Sequence, residues 1–513
     1  MFFGPVLPLI VVVALWIAGS RRIALPHSRN GARRGEVSAV RDLRGWIDAV
    51  DLIGELRRVE GAGCDWEIGG LNDVYMERVG RPALLFDKIP GHRPGFRVLS
   101  NVSTSRRRCA LTLGLDPDTP GMELVRACKR LLAEQRLVAP ETVASGPICE
   151  QVQEGASVDL SRFPAPVWHE GDGGAYLGTG SAVILRDPDS DWVNVGCYRA
   201  AVHDEKHLGL MISQGKQGRL LMEAWWRRSR PAPVAISMGH DPLLFFVAAM
   251  NAAPGVSELS LWGGIAGEPV RVLPGGTTGL PLPADAELVV EGFVHPEERR
   301  EEGPFGEWTG YYAGGRKPEP VLRVERVYHR RDPIVLGAVP GKPPSDDTYS
   351  STFMTSAAVW AQLEGAGLPG IRGVWAHECG GSRMFLAVAI RQAYAGHARQ
   401  VGLAAAHTYA GAYLNKFVVV VDDDIDPSSL DDVVWAMCTR FDARSDQVVI
   451  PDSWSSPLDP MAYPPERPLY TTKVVLDACR PWHRRDSFPA VVGLSTERRQ
   501  RLRECWPELF AGL

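Results

Sequence analysis

The pattern of apolar positions after residue 40 predicts an amphipathic helix followed by a strand and a second helix. The stretch VRDLRGWIDAVDLIGELRRVEG has apolar side chains at the three- and four-residue intervals of one helix face, namely Leu43, Trp46, Ile47, Val50 and Ile53. The apolar run PALLFDKI is typical of a strand, and residues 121–135 are again typical of a helix. These elements predict an N-terminal α/β domain over residues 40–135.

The pattern changes after a loop region rich in proline and glycine. From GSAVILRD to VLRVERVYH, short apolar runs such as PVAISMG are bounded by turn residues. AELVVEGFVH and VLRVERVYH show the period-two alternation of half-buried strands. DPLLFFVAAM predicts an inserted helix, because Asp241 can cap it and Pro242 suits its first position. Residues 136–332 are therefore predicted to form a β-rich, barrel-like domain with a few helices.

Helical and strand patterns alternate again over residues 333–513, which predicts a C-terminal α/β domain. TYSSTFMTSAAVWAQLEGAG predicts a helix, IRGVWAHE a strand, and SRMFLAVAIRQAYAGHARQVGLAAAHTY one long helix of small residues. KFVVVVDDDID is a continuous apolar run, typical of a strand covered on both faces. DPSSLDDVVWAMCTRF predicts a helix that Asp426 caps and Pro427 opens. The expected fold class is therefore a multidomain protein of the α/β and α+β classes.

The composition of the chain limits its partners. Of 513 residues, 45% are apolar and 23% are charged, which is ordinary for a soluble globular protein. The formal net charge of −5, without a dense basic stretch, argues against nucleic acid as a partner. The nine cysteines include no CxxC pair, so we expect reduced thiols in a cytoplasmic protein that binds small molecules or other protein chains.

Residues 1–39 are predicted to be an extension outside the domains. The run FFGPVLPLIVVVALWIAG is apolar and long enough to approach the span of a bilayer. It has no preceding basic residue and no convincing cleavage site. Three interpretations stay open: an upstream mis-assigned start codon, a membrane anchor or a secretion signal. The arginines that follow the run would keep the body of an anchored protein on the cytoplasmic side.

Three segments of the middle domain carry polar side chains where a buried strand would normally avoid them. NVGCYR contains Asn194 and Arg199, GVSELSLWGG contains Glu258, and EGPFGE contains Glu302 and Glu307. A buried carboxylate is costly unless it is paired, protonated or bound to a metal. Asparagine and glutamate oxygens suit a hard cation, Mg²⁺ or Mn²⁺, of the kind that bridges protein to phosphate.

A single arginine beside two glutamates could give them different acidities. The planar guanidinium of Arg199 can hold one carboxylate in its ionised form through two hydrogen bonds. A second carboxyl group in the same dry site would then favour its neutral form and could donate a proton. The alternative is a structural ion-pair network at a domain edge, with Asn194 as a turn residue and Glu258 as a solvated loop acid.

The segments NVGCYR, GVSE and above all EGPFGEWTGYY resemble the UbiD family of reversible decarboxylases, which use prenylated FMN. The resemblance extends from about residue 40 to the C-terminal helices and includes DWEIGG and KFVVVVDDDID. It implies an N-terminal α/β domain, a central split β-barrel that binds the flavin, and a C-terminal α/β domain. The last domain would drive oligomerisation, as a homodimer or homohexamer, and close over the active site.

The resemblance also implies roles for individual residues. Arg199, Glu302 and Glu307 would form the catalytic network, with Glu307 as the proton donor. Asn194 and Glu258 would hold the divalent metal that binds the cofactor phosphate, assisted by K⁺. Other cofactor-binding positions would be Tyr198, Arg199, Met211, Ile212, Ser213, Lys216 and Gln217.

One position departs from the pattern of many family members, which have a metal-binding histidine in the segment that here reads SQGKQGRL. This chain offers Gln217 as the third ligand, or Lys216 if the match is displaced by one residue. A glutamine oxygen can still bind Mn²⁺ or Mg²⁺, whereas a lysine would pair with the phosphate directly. His203 and His207 lie nearby and are expected to belong to a solvated turn.

The activity that the resemblance implies is reversible, non-oxidative decarboxylation of an aromatic, heteroaromatic or α,β-unsaturated carboxylic acid. A flavin prenyltransferase would supply the cofactor. Two other functions stay open: a flavin oxidoreductase on the same barrel and a non-catalytic flavin-binding subunit. The oxidoreductase is less favoured because the sequence has no GxGxxG motif after a strand.

Overall fold

The computed structural model describes residues 42–77, 81–134, 136–250, 252–461 and 470–510. The predicted extension, residues 1–39, lies outside these ranges. Within them, no helix combines the length and the apolar character that crossing a bilayer requires.

The N-terminal part of the chain forms helices around a small sheet. Its elements are α1 (Leu43–Leu52), β1 (Leu56–Glu60), α2 (Glu67–Met76), β2 (Ala83–Asp87), β3 (Arg97–Ser100), α3 (Arg106–Thr112) and α4 (Gly121–Glu134). The predicted amphipathic helix is confirmed: α1 buries its apolar face, and the Asp42 carboxylate accepts a hydrogen bond from the backbone N–H of Gly45 at 2.9 Å.

The middle part is mostly strands. Its elements are β4 (Glu141–Thr142), β5 (Gln151–Glu154), β6 (Tyr176–Gly178), β7 (Ser181–Arg186), β8 (Val193–Gly196), β9 (Arg199–Asp204), β10 (His207–Met211), α5 (Gln217–Trp226), β11 (Ala232–Met238), α6 (Pro242–Ala248), α7 (Glu258–Ala266), β12 (Arg271–Pro274), β13 (Pro281–Pro283), β14 (Leu288–Glu302), β15 (Lys317–His329) and β16 (Ile334–Leu336). The predicted helix at Pro242 is confirmed, with Asp241 as its cap.

The C-terminal part alternates helices and strands. Its elements are α8 (Asp346–Gly365), β17 (Ile371–Ala376), β18 (Phe385–Ile390), α9 (His397–His407), α10 (Tyr409–Ala412), β19 (Phe417–Asp422), α11 (Leu430–Arg440), β20 (Gln447–Trp454), β21 (Tyr470–Asp477), α12 (Thr496–Cys505) and α13 (Pro507–Phe510). Short 3₁₀ helices occupy Pro147–Glu150, Gly155–Ser157, Leu160–Arg162, Glu378–Gly380 and Trp482–Ser487.

A large antiparallel sheet of nine strands dominates the middle part. Its order is β6-β9-β10-β15-β14-β11-β7-β8, and β5 pairs with β15. A second sheet has the order β1-β2-β3-β16, so the chain returns to the N-terminal sheet directly after β15. The C-terminal sheet has the order β17-β18-β19-β21-β20, and a small sheet joins β13, β12 and β4. The mixed α/β, multidomain class is confirmed, while the predicted domain boundaries stay a prediction.

The long helix predicted over SRMFLAVAIRQAYAGHARQVGLAAAHTY is wrong. The first half of this segment is β18, which pairs with β17 and β19, and only the second half is helical, as α9. Gly396 precedes α9 with a φ of 81°, a left-handed conformation that separates the two elements. Small apolar residues fit both a doubly covered strand and a helix, so the pattern could not distinguish them.

Two smaller predictions also need correction. The helix α11 begins at Leu430 with Ser429 as its cap, while the Asp426 carboxylate accepts a hydrogen bond from the N–H of Ser428 in the turn before it. Glu258, expected where a buried strand would run, instead begins α7. The pattern thus placed the start of α11 too early and did not predict α7.

Gly292 lies at an irregularity of β14 where the neighbouring strand approaches closely. A Cβ on Gly292 would lie 1.9 Å from the carbonyl oxygen of Arg323 on β15. We therefore expect Gly292→Ala to lower the free energy of unfolding by about 1–3 kcal/mol, measured by urea denaturation. Gly365→Ala is the control, because a Cβ there meets nothing within 4 Å. Equal effects of both substitutions would contradict the interpretation.

Candidate active site

The curvature of the large sheet brings Arg199 and Glu302 together. Arg199 begins β9 and Glu302 ends β14, and β10 and β15 lie between these strands in the sheet order. In a flat sheet, three interstrand steps would separate them by about 14 Å. Their side chains nevertheless form hydrogen bonds, so the sheet curls into an open half-barrel around this point.

The guanidinium of Arg199 binds both predicted glutamates. Nε and Nη2 donate to the two carboxylate oxygens of Glu302 at 2.8 and 2.9 Å, and Nη1 donates to Oε1 of Glu307 at 2.5 Å. The side chains of Glu302, Arg199 and Glu307 are 0%, 9% and 10% exposed. The structure thus brings together the three predicted catalytic residues in one nearly buried cluster.

The two glutamates have different surroundings. Glu302 makes a two-point ion pair and also accepts a hydrogen bond from the Tyr176 hydroxyl at 2.8 Å. Glu307 has one contact with Arg199, and burial raises its pKa above the usual value although Arg199 acts in the opposite direction. Burial acts to lower the pKa of the Arg199 guanidinium. The two carboxylates outweigh this effect and raise that pKa above its usual value. Glu307 is thus the carboxyl group that more readily holds a proton.

Two aromatic residues of this cluster were not predicted from the sequence. The ring of Phe305 lies 4.7 Å from the guanidinium carbon of Arg199, a cation–π contact. The rings of Phe305 and Tyr176 are 4.4 Å apart. Phe305 stands inside the quoted motif and could have been singled out, whereas nothing near Tyr176 in the sequence points to Glu302.

A tight corner connects Glu302 to Glu307. Gly303 has a φ of 84°, a left-handed conformation that suits glycine. The N–H of Gly173 donates to the carbonyl of Pro304 at 2.8 Å, and the N–H of Gly306 donates to the Asp172 carboxylate at 2.8 Å. The segment around Asp172, which sequence analysis did not select, therefore supports the corner that carries Glu307.

The three predicted metal ligands, Asn194, Gln217 and Glu258, lie together near the β8–β9 connection. Nδ2 of Asn194 donates to Oε1 of Glu258 and to Oε1 of Gln217, each at 3.0 Å. Glu258 also accepts a hydrogen bond from the N–H of Val195 at 2.7 Å. Burial raises the pKa of Glu258 to about 7, while the hydrogen bonds from Val195 and Asn194 act in the opposite direction.

Two polar groups at this site lack, among the described residues, a contact that buried polar groups usually make. Oδ1 of Asn194 is buried without a hydrogen-bond partner among the described residues. Within the described ranges, the Glu258 carboxylate has amide donors but no cationic side chain in contact. In the described part of the chain, no three His, Cys, Asp or Glu side chains converge as a metal site. Any cation held here would therefore bind amide and carboxylate oxygens.

The remaining predicted cofactor residues lie around the same connection. The Tyr198 hydroxyl accepts a hydrogen bond from the N–H of Gly218 at 3.3 Å, and burial raises the pKa of Tyr198 to about 12. Met211 ends β10, Ile212 is buried, and Ser213 is exposed just before α5.

The helix α5 begins beside these residues without a side-chain cap. Lys216 stands at its N-terminus, and burial lowers the pKa of the Lys216 ammonium, with Arg383 acting in the same direction. Gln217, the first residue of α5, donates from Nε2 to the carbonyl of Ala252 at 2.8 Å, which leaves its Oε1 facing Asn194. The geometry therefore puts Gln217 beside Asn194, which also contacts Glu258.

The two nearby histidines do not join this group. Nδ1 of His207 lies 2.7 Å from a carboxylate oxygen of Asp204 in the β9–β10 turn, and His203 packs against Gly209. Both rings are partly buried, although the sequence predicted a solvated turn.

Three family models together match most of the chain. They describe the N-terminal domain, the Rift-related domain and the C-terminal domain of 3-octaprenyl-4-hydroxybenzoate carboxy-lyase, and they match residues 47–128, 141–343 and 348–478. The chain belongs to the UbiD family. The predicted family and the predicted enzyme class, a carboxy-lyase, are confirmed.

Curated members of the UbiD family are similar to this chain over most of their length. A phenolic acid decarboxylase from Streptomyces sp. (strain D7) is 34% identical over 447 residues, which cover 86% of this chain and 92% of the relative. A pyrrole-2-carboxylic acid decarboxylase from Pseudomonas aeruginosa is 32% identical over 433 residues, which cover 82% of this chain and 87% of the relative.

A solved UbiD-class structure has the same fold. The enzyme from Pelotomaculum thermopropionicum, in complex with FMN, superposes with a TM-score of 0.79 at 27% identity and covers 89% of this chain and 98% of its own. A multidomain fold of this kind is therefore compatible with flavin binding.

Replacement of Arg199, whose guanidinium pairs with both glutamates, should destabilise the protein in a pH-dependent way. Arg199→Ala leaves two buried carboxyl groups without their cation, and we expect a loss of about 3–5 kcal/mol at pH 8. The loss should be smaller at pH 5, because protonation of the carboxyl groups removes the unpaired charge. Urea denaturation at both pH values measures the difference. Arg444→Ala removes an exposed ion pair with Asp442 and should have little effect at either pH.

Proposed function

We propose that this protein catalyses the reversible, non-oxidative decarboxylation of an aromatic, heteroaromatic or α,β-unsaturated carboxylic acid with prenylated FMN. The observation that carries the proposal is the buried cluster in which Arg199 binds Glu302 at two points and Glu307 at one. The similar enzymes from Streptomyces and Pseudomonas, whose names specify phenolic acids and pyrrole-2-carboxylic acid, support this substrate class.

The residues near α5 fit a flavin mononucleotide. Lys216 and the N-terminus of α5 provide positive charge for a phosphate. Tyr198, Met211, Ile212 and Ser213 would contact the rest of the cofactor inside a split β-barrel. When bound, the prenylated flavin supplies an acceptor for the electrons that remain when CO₂ leaves, which no amino-acid side chain provides.

The group of Asn194, Gln217 and Glu258 fits a hard divalent cation beside that phosphate. The unpaired Oδ1 of Asn194, the Glu258 carboxylate and Oε1 of Gln217 are all oxygen donors of the type that Mg²⁺ and Mn²⁺ accept. A cation there would also offset the cost of ionising Glu258 in a buried site. A K⁺ ion nearby belongs to the same proposal.

The protein side chains then divide the remaining work. Arg199, bound to Glu302 at two points, keeps Glu307 in a fixed position beside the substrate. Glu307, whose burial favours the neutral carboxyl group, donates its proton to the carbon that has lost CO₂. In the reverse direction, the same carboxylate accepts that proton.

The alternatives have less support. A flavin oxidoreductase would also need a site for an electron donor such as a nicotinamide, and the sequence has no GxGxxG motif after a strand. A non-catalytic flavin-binding subunit would not need the network, yet all three of its members are present.

We further propose a cytoplasmic homodimer or homohexamer that receives its cofactor from a flavin prenyltransferase. Exposed apolar side chains on the pair β20 and β21, namely Val449, Trp454 and Tyr470, support association through the C-terminal sheet.

The direct test is co-expression with a flavin prenyltransferase, followed by the cofactor mass, the absorbance spectrum and CO₂ release from a panel of aryl, heteroaryl and acrylic acids. Prenylated FMN with CO₂ release supports the proposal. Bound FMN with NADH oxidation and no CO₂ release would support the oxidoreductase instead.

Glu307→Gln should abolish turnover and retain the flavin, because the amide cannot donate a proton as a carboxylic acid does. General acid catalysis is typically worth about 10²–10⁴-fold, so kcat should fall by at least that factor. Glu301→Gln is the control, since Glu301 is an exposed acid two positions before Gly303 in the same strand end. Near-native activity of Glu307→Gln would show that another group donates the proton.

Glu258→Gln should weaken binding of Mn²⁺ and Mg²⁺, measured by isothermal titration calorimetry on the flavin-loaded protein. Loss of a residue that hydrogen-bonds to a metal ligand costs about 10- to 100-fold in metal affinity. Loss of the charged ligand itself should therefore cost at least as much. Gln217→His should favour Mn²⁺ over Mg²⁺, because imidazole is a better ligand for the transition metal. Glu223→Gln, on α5 but paired with Arg219, should leave both affinities unchanged. Unchanged metal binding in Glu258→Gln would refute the assigned ligand set.

A further inference from the structure

The ring of His169 lies between two hydrogen-bond acceptors. Nε2 is 2.5 Å from the carbonyl oxygen of Pro340, and Nδ1 is 3.3 Å from a carboxylate oxygen of Asp73. A carbonyl and a carboxylate can only accept, so both ring nitrogens must donate for both contacts to be hydrogen bonds. This arrangement requires the imidazolium form, because a neutral imidazole has one N–H.

The charges around the ring favour that form. Burial acts to lower the pKa of His169, but the Asp73 carboxylate and the Pro340 carbonyl outweigh it and raise the pKa above its usual value. Asp172, in the same segment, contributes in the same direction. The other titratable groups nearby are Glu170, one residue away, and Tyr312, which follows the Glu307 corner.

His169 and its segment also touch the corner that carries Glu307. A Cβ on Gly306 would lie 2.4 Å from Cδ2 of His169, so the ring packs directly on the backbone before Glu307. The N–H of His169 donates to one oxygen of Asp172 at 3.0 Å, and the other oxygen of Asp172 accepts from the N–H of Gly306. A shift of the ring would therefore be transmitted to the residue next to the proton donor.

The two acceptors belong to different parts of the chain. Asp73 is on α2 of the N-terminal part, and Pro340 is in the connection between β16 and α8. His169 thus joins three segments at one ring: α2, the connection that leads to the C-terminal part, and the corner between Gly303 and Glu307.

We propose that His169, as an imidazolium bound to Asp73 and Pro340, is a positioning residue that holds the corner of Glu307 against Arg199. The inference rests on the proposed function, in which Glu307 is the proton donor. Its first consequence is a dependence of turnover on the charge of a residue that acts through the corner of Glu307.

The direction of the pH dependence follows from the raised pKa. The imidazolium is fully formed below the ordinary pKa of histidine, so the corner is held there. As the pH rises through the raised pKa of His169, one N–H is lost, one of the two contacts breaks, and kcat falls. Asp73→Asn removes the charge that supports the imidazolium and should move this fall to lower pH.

The experiment compares His169→Gln, Asp73→Asn and the wild type as flavin-loaded enzymes. We expect His169→Gln to lower kcat by about 10- to 100-fold, the cost of a misplaced catalytic group, with a small change in KM and no change in flavin content. The high-pH fall of kcat assigned to His169 should be absent in His169→Gln and displaced in Asp73→Asn. His207→Gln is the matched control, since His207 pairs with Asp204 in a partly buried turn away from the corner.

A measurement without turnover separates this inference from the proposed function. Nitrogen-15 NMR of the histidine rings reports whether His169 carries two protons at pH 7, whatever the enzyme catalyses. A neutral His169 at pH 7, or a wild-type pH profile and kcat in His169→Gln, would overturn the positioning role. If the wild-type protein released no CO₂ from any acid while His169 was doubly protonated, the proposed function would fail and the charge assignment would stand.

Discussion

The two-point ion pair between Arg199 and Glu302 is the interaction on which the rest of the site depends. It forms between strands that are three positions apart in the sheet, so it exists only because the sheet curls. A buried carboxylate and a buried guanidinium each cost several kcal/mol to desolvate, and only matched geometry with additional donors offsets that cost. Tyr176 and Phe305 supply such contacts, one to the carboxylate and one to the face of the guanidinium. The curvature of the sheet and the polar cluster therefore stabilise each other.

The pairing of one guanidinium with two carboxylates also explains how two glutamates, Glu302 and Glu307, take different roles. Glu302 uses both oxygens in its pair with Arg199 and receives a third donor from Tyr176. Glu307 accepts from the remaining nitrogen of the same guanidinium, Nη1, and lies at a corner held by backbone hydrogen bonds to a neighbouring loop. Its position is set by the backbone around it, while that of Glu302 is set by its partners. This difference suits Glu307, whose pKa burial raises, to exchange a proton.

Much of the site could be predicted because its residues stand within short motifs, while its supports do not. Arg199, Glu302, Glu307, Asn194 and Glu258 were selected from local segments, and the structure brings them together as two groups. Tyr176 and the segment of His169 and Asp172 were missed, since their partners are distant in the sequence and no short motif around them suggests the contact. The long helix failed for a related reason: β18 is defined by its neighbours β17 and β19, and small apolar residues alone do not specify a strand.

The position of β16 has a consequence for biosynthesis. This strand covers the open edge of β3, yet it is translated roughly 230 residues later. At about 5–20 residues per second, a ribosome would leave that edge exposed for roughly ten to fifty seconds. During this interval the nascent N-terminal sheet offers unpaired backbone groups to any other extended chain. A gene fragment that ends before β16 would make the exposure permanent, so truncation at the apparent end of the first domain would produce an aggregating polypeptide instead of an independent folding unit.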